Sequence, residues 1–548
     1  MSSNPSAPET SVLVVGAGPT GLMMAAELAR RGIQCRIIDK NAAPTRLSKA
    51  LGIHARTLEI FENIGIADRF VAAGIKAHGG SIYAGGKRIV HFLLDRIESR
   101  YNYALMLPQS DSEALLNSHL ESFGTKVERS VELTGIAQDA DAITAMLRMA
   151  DGSEQRCRAQ YVVGCDGAHS TLRHAIGVPF VGAEYEETFV LADIHADSTL
   201  PDDEISGFAS ENGLVFFFPI TRGRFRVIAD VPEPSSEQPT LDEVQKIIDK
   251  NCHMPIRLHD PEWMSYFRIH RRQATSYRVG RAFLAGDSAH IHSPAGGQGM
   301  NTGIQDAYNL GWKLALFLKG LLKPAVLDSY APERHAVGRQ VLKATDAMTR
   351  VLELRNPIAI AIRDRIVSAL ASTEFFSAMA RGGMSELDVN YRESPIVAEY
   401  HEGLFGSIAA LGSGPRAGDR APDAGGLRLA DGKETRMHEL IRGDAHKLFL
   451  FVPQASGSHD APDLLSLAAR VAEKYRDTVT TYLVGNGGGP APGGWSGPYV
   501  TDPSGELHRA YHAVASCAYL VRPDGYVSYR SFPPDPARLL EFLGKIFV

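Results

Sequence analysis

One stretch near the beginning of the chain constrains its fold more than any other: SVLVVGAGPTGLMMAAELARRGIQCRIIDK, residues 11–40. Its apolar start predicts a buried parallel strand, its middle predicts an amphipathic helix, and IQCRIID predicts a second strand. Gly16 permits a tight turn, Gly18 lets the backbone approach a pyrophosphate, and Gly21 allows close packing of helix on strand. The stretch therefore predicts a dinucleotide-binding βαβ unit, with the helix N-terminus facing the phosphates.

The acidic residue at the end of the second predicted strand narrows the choice of dinucleotide. Asp39 stands where a carboxylate accepts a hydrogen bond from a ribose 2′-hydroxyl. A carboxylate at that place repels a 2′-phosphate. We therefore expect the unit to hold the ADP part of FAD or NAD rather than that of NADP.

Length and composition exclude several classes of function. With 548 residues, the chain is long enough for about three or four domains of roughly 150 residues each. A formal net charge of -6 and the lack of a Lys/Arg run argue against nucleic-acid binding, which needs a basic surface. The five cysteines are scattered without a CxxC pair, so we expect neither a disulfide framework nor a zinc site.

The sequence also argues against export and membrane insertion. The first residues, MSSNPSAPET, have neither a basic start nor an apolar core. No apolar stretch of the sequence approaches the roughly 18 residues of a membrane span. We expect a cytoplasmic protein with no membrane partner.

Further along, the pattern of strands and helices predicts an α/β chain in several parts. The segment GLVFFFPITRGRFRVIADV predicts a hairpin that turns near residues 221–224 and belongs to a sheet lobe. LPQSDSEALLNSHLESFG predicts a helix with Ser110 or Asp111 as its cap. The expected limits are 1–80, 102–180 and 281–350 for the dinucleotide-binding domain, 81–101 and 181–280 for the sheet lobe, 351–410 for a helical segment, and 411–548 for a small C-terminal domain.

Two more segments carry motifs that point to the identity of the dinucleotide. In VVGCDGAHSTLR, a strand ends in a DG pair containing Asp166, and a helix follows with Ser170 or Thr171 as its cap. In FLAGDSAHIHSPAGGQGMN, a strand delivers Asp287 in a GD pair, and a glycine-rich loop precedes a long helix. With these three motifs in this order, the chain resembles the single-component FAD-dependent aromatic hydroxylases of the para-hydroxybenzoate hydroxylase type.

The resemblance covers nearly the whole chain and implies a specific architecture. It implies a Rossmann-like FAD-binding domain with an inserted β-sheet substrate lobe, and a thioredoxin-like C-terminal domain. The last similarity rests on GPRAGDRAPD and YLVRPDGYVSYR. Thioredoxin chemistry needs two close thiols, and Cys517 stands alone in that domain, so we expect no redox activity there.

The resemblance also implies which residues bind the cofactor. The three motifs together would wrap one FAD, with Asp287 at the ribityl chain and residues 294–301 facing the pyrophosphate and the edge of the flavin ring. The negative charge of a reduced flavin suits peptide N–H groups at a helix N-terminus. The expected cofactor contacts are Gly16, Gly18, Pro19, Thr20, Gly21, Asp39, Lys40, Arg46, Gln109, Asp166, Asp287, Pro294, Gly297, Gly299, Met300 and Asn301.

By the same resemblance, the chain is a monooxygenase that consumes O2 and NADPH or NADH and hydroxylates an aromatic, phenolic small molecule through a flavin C4a-hydroperoxide. A second nucleotide fingerprint is not evident, which agrees with a nicotinamide that visits transiently. Two alternatives stay open: Baeyer–Villiger-type oxygenation of a polyketide-like ketone, and a non-catalytic flavin-binding interaction module. A homodimer also stays open.

Only weak sequence signals point to the substrate. Phe217, Tyr266 and His292 are the candidate contacts, from an aromatic strand, a strand of the lobe and the segment after the GD motif. The sequence does not identify a base that would remove the proton of a phenol. No carboxylate or cysteine completes a ligand set around His290 and His292, so we expect no metal.

Overall fold

The computed structural model describes residues 9–45, 50–231, 234, 236–292, 297–352, 385–401, 414–452, 461–493 and 495–548. Contacts within the chain divide it into two units. The first comprises Met1–Glu62, Ile66–Ala307 and Gly338–Leu387, and the second comprises Asn63–Gly65, Tyr308–Val337 and Asp388–Val548. Among the described residues, no helix combines the length and the apolar composition needed to cross a bilayer.

The described strands form four sheets. They are β1 Thr10–Val15, β2 Cys35–Asp39, β3 Gly52–Ile53, β4 Ile75–Ala77, β5 Gly79–Ala84, β6 Lys87–Leu93, β7 Ala104–Met106, β8 Val127–Arg129, β9 Glu132–Gln138, β10 Ile143–Arg148, β11 Glu154–Gly164, β12 Phe180–Asp197, β13 Glu204–Ser210, β14 Gly213–Thr221, β15 Arg224–Val231, β16 Arg257–Ala274, β17 Arg278–Val279, β18 Ala282–Leu284, β19 His290–Ile291, β20 Ala398–His401, β21 Leu427–Leu429, β22 Glu434–Thr435, β23 His446–Val452, β24 Val479–Asn486, β25 Tyr499–Asp502, β26 Cys517–Val521 and β27 Val527–Phe532.

The described helices include a single 3-10 turn, Gly286–Ser288, which follows β18. The α-helices are α1 Pro19–Ala29, α2 Ala55–Asn63, α3 Ala67–Ala73, α4 Gln109–Glu121, α5 Thr171–Ala175, α6 Leu241–Cys252, α7 Gly299–Leu318, α8 Pro324–Asp328, α9 Tyr330–Leu352, α10 Met437–Leu440, α11 Ala461–Lys474, α12 Glu506–Ala510 and α13 Pro536–Ile546.

β1 lies at the centre of the first sheet, whose order is β17-β18-β11-β1-β2-β8, with β10 and β9 beside β11. It runs parallel to both neighbours, since Val12 pairs with Cys35 of β2 and with Tyr161 of β11. Val12, Leu13 and Val14 are fully buried. A central parallel strand is covered on both faces, which explains its uninterrupted apolar sequence. The predicted strand, helix and strand are confirmed as β1, α1 and β2.

The second sheet of this unit is the predicted lobe, with the order β19-β16-β12-β15-β14-β13-β5-β6. The predicted hairpin is confirmed, because Thr221 of β14 pairs with Arg224 of β15. One face of the sheet packs against α6, where Phe217 and Val227 share an apolar core with Val244 and Ile248. Since side chains alternate along a strand, the neighbours of these sheet residues lie on the opposite face.

Two details of the predictions come out differently in the structure, at α4 and in residues 385–401, and one at α5 is confirmed. Ser110 and Asp111 do not cap α4: the helix begins at Gln109, inside the turn that Pro108 starts, and it has no side-chain cap. At α5, Ser170 is the cap and accepts a hydrogen bond from Arg173 N. The helical assignment of 351–410 is wrong for residues 385–401, which form turns and β20 because Ala398 pairs with Tyr529 of β27. Residues 353–384 and 402–413 of that segment lie outside the described residues.

The second unit contains the fourth sheet, ordered β20-β27-β26-β23-β24-β25-β21-β22. β23, α11 and β24 form a parallel βαβ unit, and β26 and β27 then add an antiparallel pair before α13. Cys517 lies fully buried in β26, where burial raises the pKa of its thiol far above the usual range. A thiol held in this way is inert, in agreement with the lack of a second cysteine in that domain.

A buried ion network joins the two longer chain segments of this second unit, Tyr308–Val337 and Asp388–Val548. Glu333 accepts bonds from Lys313 Nζ at 2.6 Å and from Arg522 Nη1 at 2.7 Å, and Arg522 also pairs with Asp524. All four side chains are almost fully buried. Burial alone would raise the pKa of Glu333, but Arg522 and Lys313 together hold it well below its ordinary value. Two cations and two anions thus balance one another where water is excluded.

We predict that Arg522→Met destabilises the protein by about 3–5 kcal/mol, because the substitution leaves buried carboxylates with too few cations. The midpoint of denaturant-induced unfolding measures the change. Arg538→Met is the matched control, since Arg538 pairs with Asp535 across 3.7 Å on the exposed surface and should change the midpoint little. Equal effects of the two variants would contradict a stabilising role for the network.

Candidate functional site

The three glycines of the first loop have different surroundings. A Cβ added to Gly16, whose φ is +99°, would lie 2.3 Å from the carbonyl oxygen of Cys165. A Cβ on Gly21 would lie 1.9 Å from the carbonyl oxygen of Gly16. A Cβ on Gly18 would meet no protein atom within 4 Å. Gly16 and Gly21 are therefore required for packing within the protein, whereas Gly18 borders open space at the N-terminus of α1.

Asp39 closes the base of the same loop. Its Oδ2 accepts a hydrogen bond from Ala17 N at 2.8 Å, and its Oδ1 accepts one from Asn41 N at 2.8 Å. The side chain is buried at the end of β2, and Arg129 lies 3.8 Å from Oδ2. Asp39 thus fixes the loop to β2, and its contact with a ribose stays a prediction.

The DG segment after β11 is bonded to the turn that carries the GD pair. Asp166 Oδ1 accepts hydrogen bonds from Ser170 Oγ at 2.6 Å and from Ser288 Oγ at 3.0 Å. Ser288 Oγ in turn accepts a bond from Gly167 N at 3.1 Å. Arg173 Nη1 donates to the Ser288 carbonyl at 3.1 Å. Asp166 therefore positions Ser170, the cap of α5, and the turn of the second motif, and a direct contact with the cofactor stays a prediction.

The GD turn is held in place by a buried carboxylate of α7. Asp306 Oδ2 accepts bonds from Gly286 N at 2.9 Å and from His290 Nε2 at 2.7 Å. Asp306 and His290 are buried, while Asp287 is exposed at the tip of the turn. Because a carboxylate only accepts, the proton of the second bond belongs to His290 Nε2. The turn thus presents Asp287 outward from a fixed base.

The first loop meets both the GD turn and α7 at one side chain. A Cβ on Gly286 would lie 2.5 Å from Thr20 Oγ1, and a Cβ on Gly303 would lie 2.4 Å from the same atom. Thr20 belongs to the first turn of α1. The three motifs that are far apart in sequence are therefore in contact with one another close to Gly18, whose Cβ position is open.

The N-terminus of α7 is tied to β3 through one amide side chain. Asn301 Oδ1 accepts from His54 N, and Asn301 Nδ2 donates to the carbonyls of Gly52 and Gly297, all at 2.9 Å. Asn301 is fully buried, and Met300 beside it is nearly so. Asn301 thus positions the turn at Gly297, a residue with a φ of +65°. Its contact with the cofactor stays a prediction.

The remaining predicted cofactor contacts fall into three groups. Gln109 binds the protein itself, since Oε1 accepts from Ala50 N at 3.2 Å and Nε2 donates to Glu113 at 2.9 Å. Pro19 is half-buried in the first turn of α1, and Lys40 is exposed after β2. Gly299 lies beside His292, with its Cβ position 3.8 Å from the imidazole Cε1. Arg46 and Pro294 lie outside the described residues.

The structure places Phe217 and Tyr266 on the α6 face of the lobe. Phe217 is fully buried in the apolar core, and Tyr266 packs against that core from its edge. Burial is the main reason why the pKa of Tyr266 rises to about 12. Their substrate contacts stay predictions, but both side chains have a packing role. His292 lies near α7 instead, with its ring parallel to that of His290 at 6.3 Å.

The opposite face of the lobe carries half-buried aromatic side chains that the sequence did not single out. Phe216 and Phe218 stack with their centroids 6.1 Å apart, and Phe189 and Phe267 stack at 5.6 Å. The Phe216 ring covers Gly207, where a Cβ would lie 2.9 Å from it. Alternation in VFFFP separates Phe217 from its two neighbours, but it does not say which face is covered by a helix.

The residues present fit a dinucleotide cofactor. The protein fills the space above Gly16 and Gly21 with its own backbone and leaves that above Gly18 open. The adjoining N-terminus of α1 has Gly18 as its cap residue and no side-chain cap. Backbone N–H groups at such an end suit a pyrophosphate. Ser288, His290 and Asp306, which hold the motifs together, were missed because each acts through a tertiary contact.

Comparisons with known proteins agree with this site. A model of the FAD binding domain family matches residues 9–345. Pentachlorophenol 4-monooxygenase of Sphingobium chlorophenolicum is 33% identical over 95% of this chain and 94% of its own length. 6-Methylpretetramide 4-monooxygenase of Streptomyces rimosus is 31% identical over 96% of this chain and 91% of its own. The structure of OxyS anhydrotetracycline hydroxylase from Streptomyces rimosus superimposes with a TM-score of 0.76 at 30% identity, covering 98% of this chain and 99% of that chain.

We predict that Gly18→Val and Asp287→Ala each yield folded protein with weak or absent flavin absorbance. The first variant places a side chain in the open space beside α1, and the second removes the exposed carboxylate of the GD turn. A loss of FAD affinity of at least about tenfold corresponds to about 1.4 kcal/mol. Flavin absorbance per protein and titration of the apoprotein with FAD measure it.

Two further glycines serve as controls for Gly18. Gly135 in β9 also has no atom within 4 Å of its Cβ position, so Gly135→Val should retain FAD. Gly21→Val should lose the fold instead, because its Cβ would collide with backbone. Full FAD retention in both Gly18→Val and Asp287→Ala would overturn the assignment of these motifs.

Proposed function

The chain belongs to the FAD-dependent monooxygenases that share this FAD binding domain, and from that membership we propose that it hydroxylates an uncharged phenolic ring. As a flavoprotein monooxygenase it consumes O2 and a reduced nicotinamide, NADPH or NADH. The observation that carries the proposal is the convergence of the three motifs on the space beside Gly18, through Thr20 and Asp166. We propose that this space holds the FAD.

When bound, FAD supplies the redox chemistry, accepting electrons from the nicotinamide and activating O2 so that one oxygen atom is transferred to the ring. The protein residues position the cofactor and the substrate and shield them from water. We propose that the open space at Gly18 and the α1 N-terminus receive the pyrophosphate, and that Asp287 receives the ribityl chain. Asp306 and Ser288 hold these groups in place through the contacts described above.

We propose that the substrate ring lies on the face of the lobe opposite α6. Phe189, Phe216, Phe218 and Phe267 give this face an aromatic surface. One charge pair on this face is satisfied within the protein, since Asp193 binds Arg226 at 2.7 and 2.8 Å and accepts from Trp263 Nε1 at 3.0 Å.

Stacked rings beside a charge pair that is already satisfied favour a neutral aromatic molecule over an acid. The names of two relatives, which act on pentachlorophenol and on 6-methylpretetramide, support phenols and polycyclic phenols as the substrate class.

We further propose a cytoplasmic enzyme. All five cysteines are free, and Cys157, Cys252 and Cys517 are buried. Free cysteines without a disulfide are typical of proteins in a reducing compartment. A homodimer stays an open proposal that the measured mass in solution would decide.

We predict that a panel of phenols and polycyclic phenols contains compounds that stimulate NADPH or NADH oxidation by the purified yellow protein. With 18O2, one labelled oxygen atom should appear in the product, and anaerobic reduction of the flavin should accelerate at least tenfold when the substrate is present. An acceleration of that size requires about 1.4 kcal/mol of differential stabilisation.

Four results would contradict this function. Oxygen incorporated from water, or product formed without O2, would exclude a monooxygenase. A labelled ester or lactone would instead identify Baeyer–Villiger oxygenation, and flavin binding without any turnover would leave a binding module. Aromatic acids of similar size that lack a phenolic hydroxyl serve as the negative control for the panel.

We also predict that Phe216→Leu raises KM for the best substrate about two- to tenfold, because a ring contact worth about 0.5–1.5 kcal/mol is lost. Phe217→Leu is the matched control from the same strand. Its side chain is fully buried on the α6 face, so this variant should lower stability and leave KM near that of the wild type. Steady-state kinetics measure KM, and thermal unfolding measures stability. A raised KM in Phe217→Leu together with an unchanged KM in Phe216→Leu would place the substrate on the α6 face instead.

A further inference from the structure

A buried histidine and a buried glutamate face each other close to the Gly297 turn. His54 Nδ1 and Glu386 Oε1 lie 3.5 Å apart, and within the part of the chain that the structure describes neither atom has a hydrogen-bond partner. The residues are 2% and 5% exposed. A buried polar atom without a partner is costly. The proximity of His54 Nδ1 and Glu386 Oε1 therefore offsets part of the cost of burying these two atoms.

The pair belongs to a closed ring of contacts at the start of α7. Asn301 accepts from His54 N, as described above, and Gln305, one turn further along the helix, donates to Glu386 Oε2. Gln305 is 4% exposed. Glu386 has a φ of +55°, a left-handed conformation that is unfavourable for a side chain of this kind. The same residue contacts His54 and Gln305 through its side chain.

The two imidazole nitrogens of His54 have different surroundings. Nδ1 faces Glu386, whose carboxylate oxygen can only accept, so Nδ1 is the nitrogen placed to donate towards it. Nε2 then faces the other way, and it lies 3.7 Å from the Cβ position of Gly297. Glu386 thus sets the orientation of the ring, as carboxylates do for histidines in many sites.

The ring of contacts lies at the start of α7, where residues 297–301 are predicted to face the cofactor. Gly297 lies two residues before the start of α7, and the first turns of that helix reach Thr20 of the dinucleotide loop through Gly303. A carboxylate at this place is buried, so its field is screened far less than that of a surface group. A negative charge disfavours a second negative charge nearby.

We infer that Glu386, oriented by His54 and Gln305, is a positioning residue that lowers the reduction potential of bound FAD. The inference rests on the proposed function. Reduced FAD carries a negative charge that oxidised FAD lacks, so a buried carboxylate near the cofactor makes reduction less favourable. A lower potential makes the reduced cofactor a stronger donor towards O2.

The test is the midpoint potential of the FAD-loaded protein, measured by equilibration with a redox dye. Glu386→Gln keeps the size of the side chain and removes its charge. We expect the ratio of affinities for reduced and oxidised FAD to rise at least tenfold, which is about 30 mV for a two-electron couple. His54→Gln keeps the carboxylate, and we expect its potential to equal that of the wild type or to lie below it.

The pattern across variants separates electrostatics from loss of structure. A merely structural role would shift both variants in the same direction, and this result or an unchanged potential in Glu386→Gln would overturn the inference. Glu386→Asn is a second neutral variant, chosen because asparagine tolerates the left-handed backbone, and it should shift the potential in the same sense as Glu386→Gln.

Asp502→Asn is the matched control. Asp502 forms a buried pair with His508 at 2.8 Å in the second unit, and its variant should leave the potential unchanged. Failure of the proposed function would be seen separately, since the wild-type protein would then fail to retain FAD or to couple NADPH oxidation to a phenol. If the wild type passes both tests and Glu386→Gln keeps its potential, only the present inference fails.

Discussion

The Thr20 hydroxyl lies between two glycines, Gly286 and Gly303, and this close approach determines the arrangement of the whole site. Neither glycine could carry a side chain without displacing the side chain of Thr20. The hydrogen bonds of Asp306 and Ser288 then fix the GD turn and the DG segment around that contact. A binding space assembled from separate chain segments exists only when all of these contacts form together. Cofactor binding is therefore a property of the folded unit rather than of any one motif.

Local patterns predicted the parts of the fold that local interactions determine. The β1, α1 and β2 unit and the hairpin at Thr221 were predictable, because apolar periodicity and turn residues report directly on burial and direction. The α4 cap and the helical assignment around 385–401 were wrong, since Pro108 and the pairing of Ala398 with β27 outweigh local preference. The limits of the domains stay predictions: contacts within the chain group Tyr308–Val337 with Asp388–Val548, which composition along the sequence does not reveal.

The residues of the site also divide into those that local sequence patterns identify and those that only tertiary contacts reveal. The glycines of the first loop were identified from sequence because their role depends on the absence of a side chain, which a sequence shows directly. Asn301 and Asp166 were also singled out, yet the structure shows that their polar atoms bind other parts of the protein. Phe217 could not be distinguished from Phe216, because the two differ only in which face of the sheet α6 covers. His54 and Glu386 are far apart in the sequence, so no spacing links them.

The balanced network around Glu333 bears on how such a protein can change over evolutionary time. Its two anions and two cations come from chain segments that are separated by almost 200 positions, with Lys313 and Glu333 in one and Arg522 and Asp524 in the other. If a lineage lost the C-terminal sheet, Lys313 and Glu333 would lose their partners Arg522 and Asp524. The helices that carry them would then need further substitutions. Gain or loss of this sheet thus requires coordinated substitutions in both chain segments, so the sheet is not an independently exchangeable domain.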